Sequence, residues 1–232
     1  MIELAVFDMA GTTVDDHGIV YVALQDAVEE TGATVAQIDL QEWMGADKVS
    51  AITALMERGG EQPTAVRVAA AFERFREILA ERYTATPPVA LPGVEAAIAT
   101  LRGRGIKVAL TTGFDDDVAY PLLESLGWGV GQGVGTTVDA VVTTSDVAQG
   151  RPAPFMIHRA MEKTGVHDVR NVLAAGDTAV DVQAGRNSGG ISVGVMTGKL
   201  SYEQLAANPH DYILAGVVDV PALAETQLPA SK

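Results

Sequence analysis

The chain has 232 residues, 47% of them hydrophobic, with no cysteine and 16 basic against 30 acidic residues, a net charge of −14. That length and apolar content suit a folded chain with a sizeable core and exclude the disordered and fibrous classes. The lack of cysteine excludes a disulfide scaffold, a thiolate zinc site and a thiol nucleophile, and the acidic balance argues against nonspecific nucleic-acid binding.

The chain opens Met1-Ile2-Glu3-Leu4, without a basic leader, and no apolar run approaches the ~20 residues of a membrane helix. A cytoplasmic location away from membranes is the expectation. The first buried strand is predicted at Glu3–Phe7 (ELAVF). Helical patterns follow at Ile19–Thr31, Asp47–Arg58 and Thr64–Tyr83, and the next strand comes only at Lys107–Thr111 (KVALT). A crossover between parallel strands needs about a dozen residues, and this gap is about a hundred. Residues 16–88 therefore read as an inserted helical cap, with 1–15 and 89–232 forming the core. Asp15–Gly18 and the proline-punctuated Pro87–Pro92 are the expected hinges, and Pro92 the start of a helix to Arg104. Further strands are predicted at Ala140–Thr143, Val172–Ala175 and Ile191–Val195, with a sixth at Tyr212–Leu214. Helices are predicted between them at Asp117–Leu126, Ala153–Thr164 and Val180–Asn187, and a frayed end at Leu228–Lys232. Alternating strands and helices imply an α/β fold, a doubly wound parallel sheet covered on both faces.

In such a sheet, ligands bind beyond the carboxyl ends of the strands. Asp8-Met9-Ala10-Gly11-Thr12-Thr13 follows the first strand and Thr112-Gly113-Phe114 the second. Gly150-Arg151-Pro152 comes shortly after the third, and Gly176-Asp177-Thr178-Ala179-Val180-Asp181 ends the fourth. Acids, a hydroxyl, a cation and glycines on one sheet edge suit phosphoryl transfer. A carboxylate attacks phosphorus, a divalent cation offsets the charge, and hydroxyl, N–H and basic groups hold the oxygens. An all-oxygen ligand set points to magnesium. Each piece also has a plain structural role. Asp177 could cap a helix with Asp181 one turn on, Thr112 could simply end a strand, and Gly150-Arg151-Pro152 could be a loop. The combination, in order and at successive strand ends, is far more specific than any member.

That order resembles the haloacid dehalogenase superfamily of aspartyl-phosphate hydrolases. The resemblance implies a Rossmann-like core with Asp8 as nucleophile, Thr112 as the phosphate-binding hydroxyl and Arg151 as the basic residue. It further implies Mg2+ held by Asp8, the Ala10 carbonyl, Asp177 and Asp181. Most phosphatases of the superfamily carry a proton-donating aspartate where Ala10 stands, and lysine is commoner at the position of Arg151. Both features, and the strings Asp8–Val14, Thr111–Phe114 and Gly176–Asn187, resemble the phosphonatase branch, named for phosphonoacetaldehyde hydrolase. Met44-Gly45-Ala46-Asp47-Lys48 falls where that branch has Met-Gly and its Schiff-base lysine. The resemblance thus adds Lys48 as a catalytic residue. It adds Gly11, Thr12, Met44, Gly45, Gly113 and Phe114 as groups around the substrate.

An amine that condenses with an aldehyde makes an electron sink, so a carbon–phosphorus bond can break without proton transfer to a leaving oxygen. Ala10 is consistent with that chemistry. An apolar stripe at Val49, Ile52, Leu55 and Met56 puts Lys48 about 50° from its middle, half-buried, with a snorkelling lysine as the plain alternative. The branch also has a histidine where Ala51 stands and a tyrosine where Phe114 stands, which leaves the namesake substrate open. His17 sits at the expected hinge, where a solvated linker role is the simpler reading. The partner is a small phosphonate or phosphate ester. The other functional readings are an ordinary small-molecule phosphatase and a non-catalytic phosphate-binding module. The resemblance also implies a homodimer formed through the cap helices.

Overall fold

The computed structural model describes residues 1–226, so the predicted frayed end at 228–232 lies outside the described residues. The chain begins with β1 (Leu4–Asp8) and a two-residue β2 (Val14–Asp15). Four helices follow: α1 (Ile19–Glu29), α2 (Gln37–Glu42), α3 (Lys48–Arg58) and α4 (Ala65–Ala85). Next come β3 (Val89–Ala90), α5 (Val94–Gly103), β4 (Lys107–Thr111), α6 (Asp116–Ser125), β5 (Ala140–Val142) and α7 (Phe155–Thr164). The described chain closes with β6 (Val172–Gly176), α8 (Ala179–Ser188), β7 (Ile191–Val195), α9 (Tyr202–Ala206), β8 (Tyr212–Leu214) and α10 (Val220–Thr226).

Six strands form one parallel sheet in the order β5-β4-β1-β6-β7-β8. β1 is central, between β4 and β6, so its carboxyl end opens where the strand order reverses. Successive residues of β1 face opposite ways, as the pleat requires. Leu4 and Val6 join Met156, Ile157 and Ala184 from α7 and α8 in one buried cluster. Ala5 and Phe7 join the other, which continues through Ile98 and Leu101 of α5 into Leu24, Ile52 and Phe75 of the helical segment. α1 and α3 both pack on α4.

The two chain segments leading into and out of these helices pair with each other. β2 and β3 run antiparallel, with Val14 opposite Ala90 and Asp15 opposite Val89. Asp16 reinforces the junction. Its buried carboxylate accepts from Gly18 N and Val20 N at the start of α1, and from the Tyr83 hydroxyl near the end of α4. His17 takes a positive φ of 58° and sets its imidazole 3.5 Å from the Asp15 carboxylate, on the surface.

Two local expectations need correction. α5 starts after Gly93, which takes the left-handed conformation at the N-cap, so Pro92 precedes the helix rather than opening it. In α3, Val49 is 48% exposed, and the inward face is Lys48, Ala51, Ile52, Leu55 and Met56. At ~100° per residue these five centre on Lys48 itself. No helix among the described residues is long and apolar enough to cross a membrane.

Candidate active site

Asp8 is the last residue of β1, and the chain behind it turns back through Thr13, whose hydroxyl donates to the Asp8 carbonyl at 2.9 Å. Arg151 comes from the loop before α7 and is buried. Its Nη1 donates to Asp8 Oδ1 at 2.6 Å and also to Asp181 Oδ1. Thr12 Oγ1 donates to Asp177 Oδ1 at 2.7 Å, joining the loop after β1 to the end of β6. Thr112 is buried at the end of β4, and its hydroxyl accepts from Phe114 N, which fixes the turn through Gly113.

The capping of α8 decides what Asp177 does. The N-cap is Thr178, whose side chain pairs reciprocally with Asp181. Asp177 is therefore not a helix cap. It is a buried carboxylate aimed at the loop after β1, and glycines flank it closely. A Cβ at Gly11 (φ +88°) would lie 2.6 Å from Asp177 Oδ2, and a Cβ at Gly198 only 1.9 Å from it.

Asp8, Asp177 and Asp181 are all buried, each offering an oxygen within 4.8 Å of the others. Burial and the nearby Asp8 charge push the Asp177 carboxyl up to about 7, against the Thr12 hydrogen bond and Arg151. Among the described residues Arg151 is the one guanidinium hydrogen-bonded within this cluster, to Asp8 and Asp181. A divalent cation with oxygen preference fits this excess of buried negative charge. The Ala10 carbonyl, with no hydrogen-bond donor among the described residues, fits as a further oxygen ligand. Asp181 has both oxygens engaged already, one by Arg151 and the other by Thr178.

The helical segment meets this cluster through Met44–Lys48. A Cβ at Gly45 (φ +77°) would lie 2.4 Å from Thr178 Oγ1, and one at Gly113 would lie 2.6 Å from the Ala46 carbonyl. Glycine at these positions lets the backbone of the segment dock directly on two strand-end loops. Lys48 follows at the start of α3, 6% exposed, where Asp47 caps the helix by accepting from Ser50 N. Lys48 Nζ donates to the Ala46 carbonyl at 3.0 Å and stands 5.4 Å from the centre of the Phe114 ring. Burial, followed by the Arg151 guanidinium, pushes the ammonium down to about 8, while the Asp8, Asp47 and Asp16 carboxylates pull the other way. Ala51, one turn on, is wholly buried and brings no titratable group to Lys48.

Residues 2–189 match the family model of haloacid dehalogenase-like hydrolases. The chain belongs to this family. This haloacid dehalogenase-like hydrolase is 33% identical over 212 residues to a phosphonoacetaldehyde hydrolase from Bacillus cereus, covering 85% of this chain and 76% of the relative. It is 32% identical to a phosphonoacetaldehyde hydrolase from Bacillus thuringiensis over the same shares. Two solved structures share its fold. A hydrolase from Pseudomonas syringae superposes with a TM-score of 0.84 at 21% identity, covering 98% of this chain and 100% of that one. A phosphonoacetaldehyde hydrolase-like protein from Oleispira antarctica superposes with a TM-score of 0.80 at 22% identity, covering 97% and 92%.

The hydrolase site also holds residues that reading the sequence missed. The loop after β7 brings Gly198 against Asp177, and Thr197 Oγ1 donates to the Gly11 carbonyl at 2.6 Å. Their signal was present, because they follow a strand of the same sheet, as the other site residues do. Tyr21 of α1 is the second omission. Its hydroxyl is pushed well above its ordinary pKa by burial and then by the Asp177, Asp8 and Asp16 charges, so it shares their enclosure. Nothing in the apolar pattern of α1 separates that tyrosine from a core residue.

Proposed function

We propose that the protein is a magnesium-dependent hydrolase that takes a phosphoryl group onto Asp8 and cleaves the carbon–phosphorus bond of a small phosphonate aldehyde through an imine on Lys48. The observation that carries this reading is Lys48. A fully solvated lysine holds its proton near 10.5. This one is buried at the centre of an inward helix face, its ammonium lowered to about 8 beside Arg151 and Asp8. About a tenth of it is then free amine at neutral pH, far more than a surface lysine offers.

The free amine attacks the substrate carbonyl, and loss of water gives an iminium. Asp8 attacks phosphorus, and the electron pair of the breaking C–P bond passes into the iminium, leaving an enamine on Lys48. Protonation at carbon and hydrolysis return the amine and release the aldehyde, and water frees phosphate from Asp8. Asp8, Asp177 and the Ala10 carbonyl would hold a magnesium ion, which when bound would supply charge compensation for the approach of one anion to another. Arg151 and Thr112 hold the phosphoryl oxygens, with Asp181 fixing the guanidinium. Because the leaving atom is carbon, no acid is needed where Ala10 stands. The names of the Bacillus relatives support the same substrate class.

In this reading residues 16–88 are a cap over a core of 1–15 and 89–232, and the paired β2 and β3 segments are its hinge. Closing of the cap excludes water and brings Lys48 to the phosphoryl site. A second reading, a phosphate-ester phosphatase on the same Asp8 scaffold, is favoured by Ala51 and Phe114. They leave no imidazole or phenol at those two positions to carry protons. Incubation with magnesium and phosphonoacetaldehyde, measuring phosphate and acetaldehyde together, separates the two. Equimolar products that vanish in Lys48→Ala support the imine route. Phosphate release from esters but not from phosphonoacetaldehyde selects the phosphatase.

A further inference from the structure

Among the described residues, every lysine and arginine except two forms an ion pair with a carboxylate. The two are Lys48, buried at the start of α3, and Lys199, exposed in the loop between β7 and α9. The Lys199 ammonium has neither an ion pair nor a hydrogen bond within the described residues. The chain carries 30 acidic against 16 basic residues, so an unpaired exposed cation does not reflect a shortage of carboxylates.

Its place is the rim of the phosphoryl site. Thr197 Oγ1 donates to the Gly11 carbonyl, and a Cβ at Gly198 would lie 1.9 Å from Asp177 Oδ2, so this loop is fixed against both. The Cα of Lys199, one peptide further on, is therefore no more than about 7 Å from the Asp177 carboxylate. On its other side the stem crosses to the helical segment, with Cε 3.7 Å and Nζ 3.9 Å from where a Cβ at Gly18 would stand. Gly18 is the N-cap of α1, a helix end that does not favour a cation, and Asp16 already accepts from the N–H groups there. No group among the described residues holds the ammonium, and its flexible four-carbon stem can turn it from Gly18 towards the acid cluster. We propose that Lys199 is a further substrate-binding residue, whose ammonium pairs with the ionised oxygens of the phosphonate or phosphate head from the solvent side while Arg151 engages them from within. The proposal rests on the phosphoryl-transfer reading above and asks nothing of the organic part of the substrate. A doubly charged head approaching a protein of net charge −14 is repelled, and a cation at the rim offsets that repulsion.

Calorimetric titration of the whole protein with inorganic phosphate at constant magnesium tests this in wild type, Lys199→Met and Lys199→Arg. Methionine keeps an unbranched stem without the charge, and arginine keeps the charge. At about 10 mM sodium chloride, Lys199→Met is expected to bind phosphate about three- to tenfold more weakly than wild type. At about 0.5 M the two affinities are expected to converge, because salt screens an exposed charge. Lys199→Arg is expected to stay within about twofold of wild type. Equal affinities of wild type and Lys199→Met at low salt overturn the role of Lys199 and leave the phosphoryl reading standing. A loss that is the same at both salt concentrations, or that arginine does not restore, overturns it too. No binding of phosphate to wild type overturns the role of Lys199 together with the phosphoryl reading.

Discussion

The sheet edge and the helical segment contribute to the site in opposite ways. At the sheet edge, side chains of opposite charge hold one another. Asp8, Arg151, Asp181 and Thr178 form a continuous chain of hydrogen bonds, and Thr12 holds Asp177. In the helical segment a single cation, Lys48, is buried against a carbonyl and an aromatic ring. The first arrangement fixes charged groups in position. The second leaves one group poorly solvated and easily deprotonated. On the proposed reading the difference teaches how the labour would divide: the sheet would build a phosphoryl site, and the helices would bring the group that acts on the organic part. Paired charges suit the first task and an unpaired amine the second.

The largest expected effect tests the sheet side. Asp8→Asn keeps the shape but removes the nucleophile, and phosphate release is expected to fall by at least about a thousandfold. Activity near wild type in a steady-state assay would contradict the role given to Asp8.

Lys48 tests the other side by pH. Catalysis by its free amine is expected to rise about tenfold per unit of pH up to about 8 and then flatten. Its folded pKa lies below the ordinary 10.5, so the folded state binds fewer protons between those values. Stability therefore rises with pH from about 8 to 10.5, and the full cost of burying the charge is present below about 8. Lys48→Met is accordingly expected to abolish C–P cleavage yet stabilise the protein at neutral pH by roughly 1–3 kcal/mol, with the gain fading towards pH 10.5. Denaturant unfolding at two pH values reads both signs; destabilisation by Lys48→Met at pH 7 would count against a strained amine.

The contact between the two regions is the next target. Gly45→Ala adds a Cβ 2.4 Å from Thr178 Oγ1 at a positive φ. A loss of roughly 1–3 kcal/mol is expected in equilibrium unfolding, with weaker substrate turnover. The smallest effect belongs to Arg76 of α4, which reaches Asp117 at 2.6 Å and Asp115 at 3.7 Å near the start of α6. The shorter pair, to Asp117, has a 66% exposed carboxylate, and the longer one, to Asp115, is beyond hydrogen-bond distance, so Arg76→Ala should cost less than about 1 kcal/mol, and a larger loss in the same unfolding assay would make the pair a true latch.

Much of the sheet side was legible because it obeys a positional rule. Residues after each strand converge, and short valine-rich strands mark their own ends. The rule was followed for four strands only, so Thr197 and Gly198 after β7 escaped. Asp177 was ambiguous because Asp and Thr both cap helices well, and only the structure shows that Thr178 takes that duty. The helical side was less legible for a physical reason. A lysine at the centre of an apolar face breaks the very periodicity that locates the face, so Val49 was drawn into the stripe in its place. α2 has six residues and one buried side chain, Leu40, too little apolar repetition to announce a helix. The two-residue strands β2 and β3 carry no pattern of their own and exist through their pairing.

The most direct test of the account traps the imine. Sodium borohydride added during turnover of phosphonoacetaldehyde, followed by peptide mass spectrometry, should place a reduced adduct on Lys48, with an N-ethyl group where cleavage has preceded reduction. Loss of activity should parallel the labelling. Phosphate and acetaldehyde released at the normal rate, with Lys48 unmodified and activity intact after borohydride, would contradict the account.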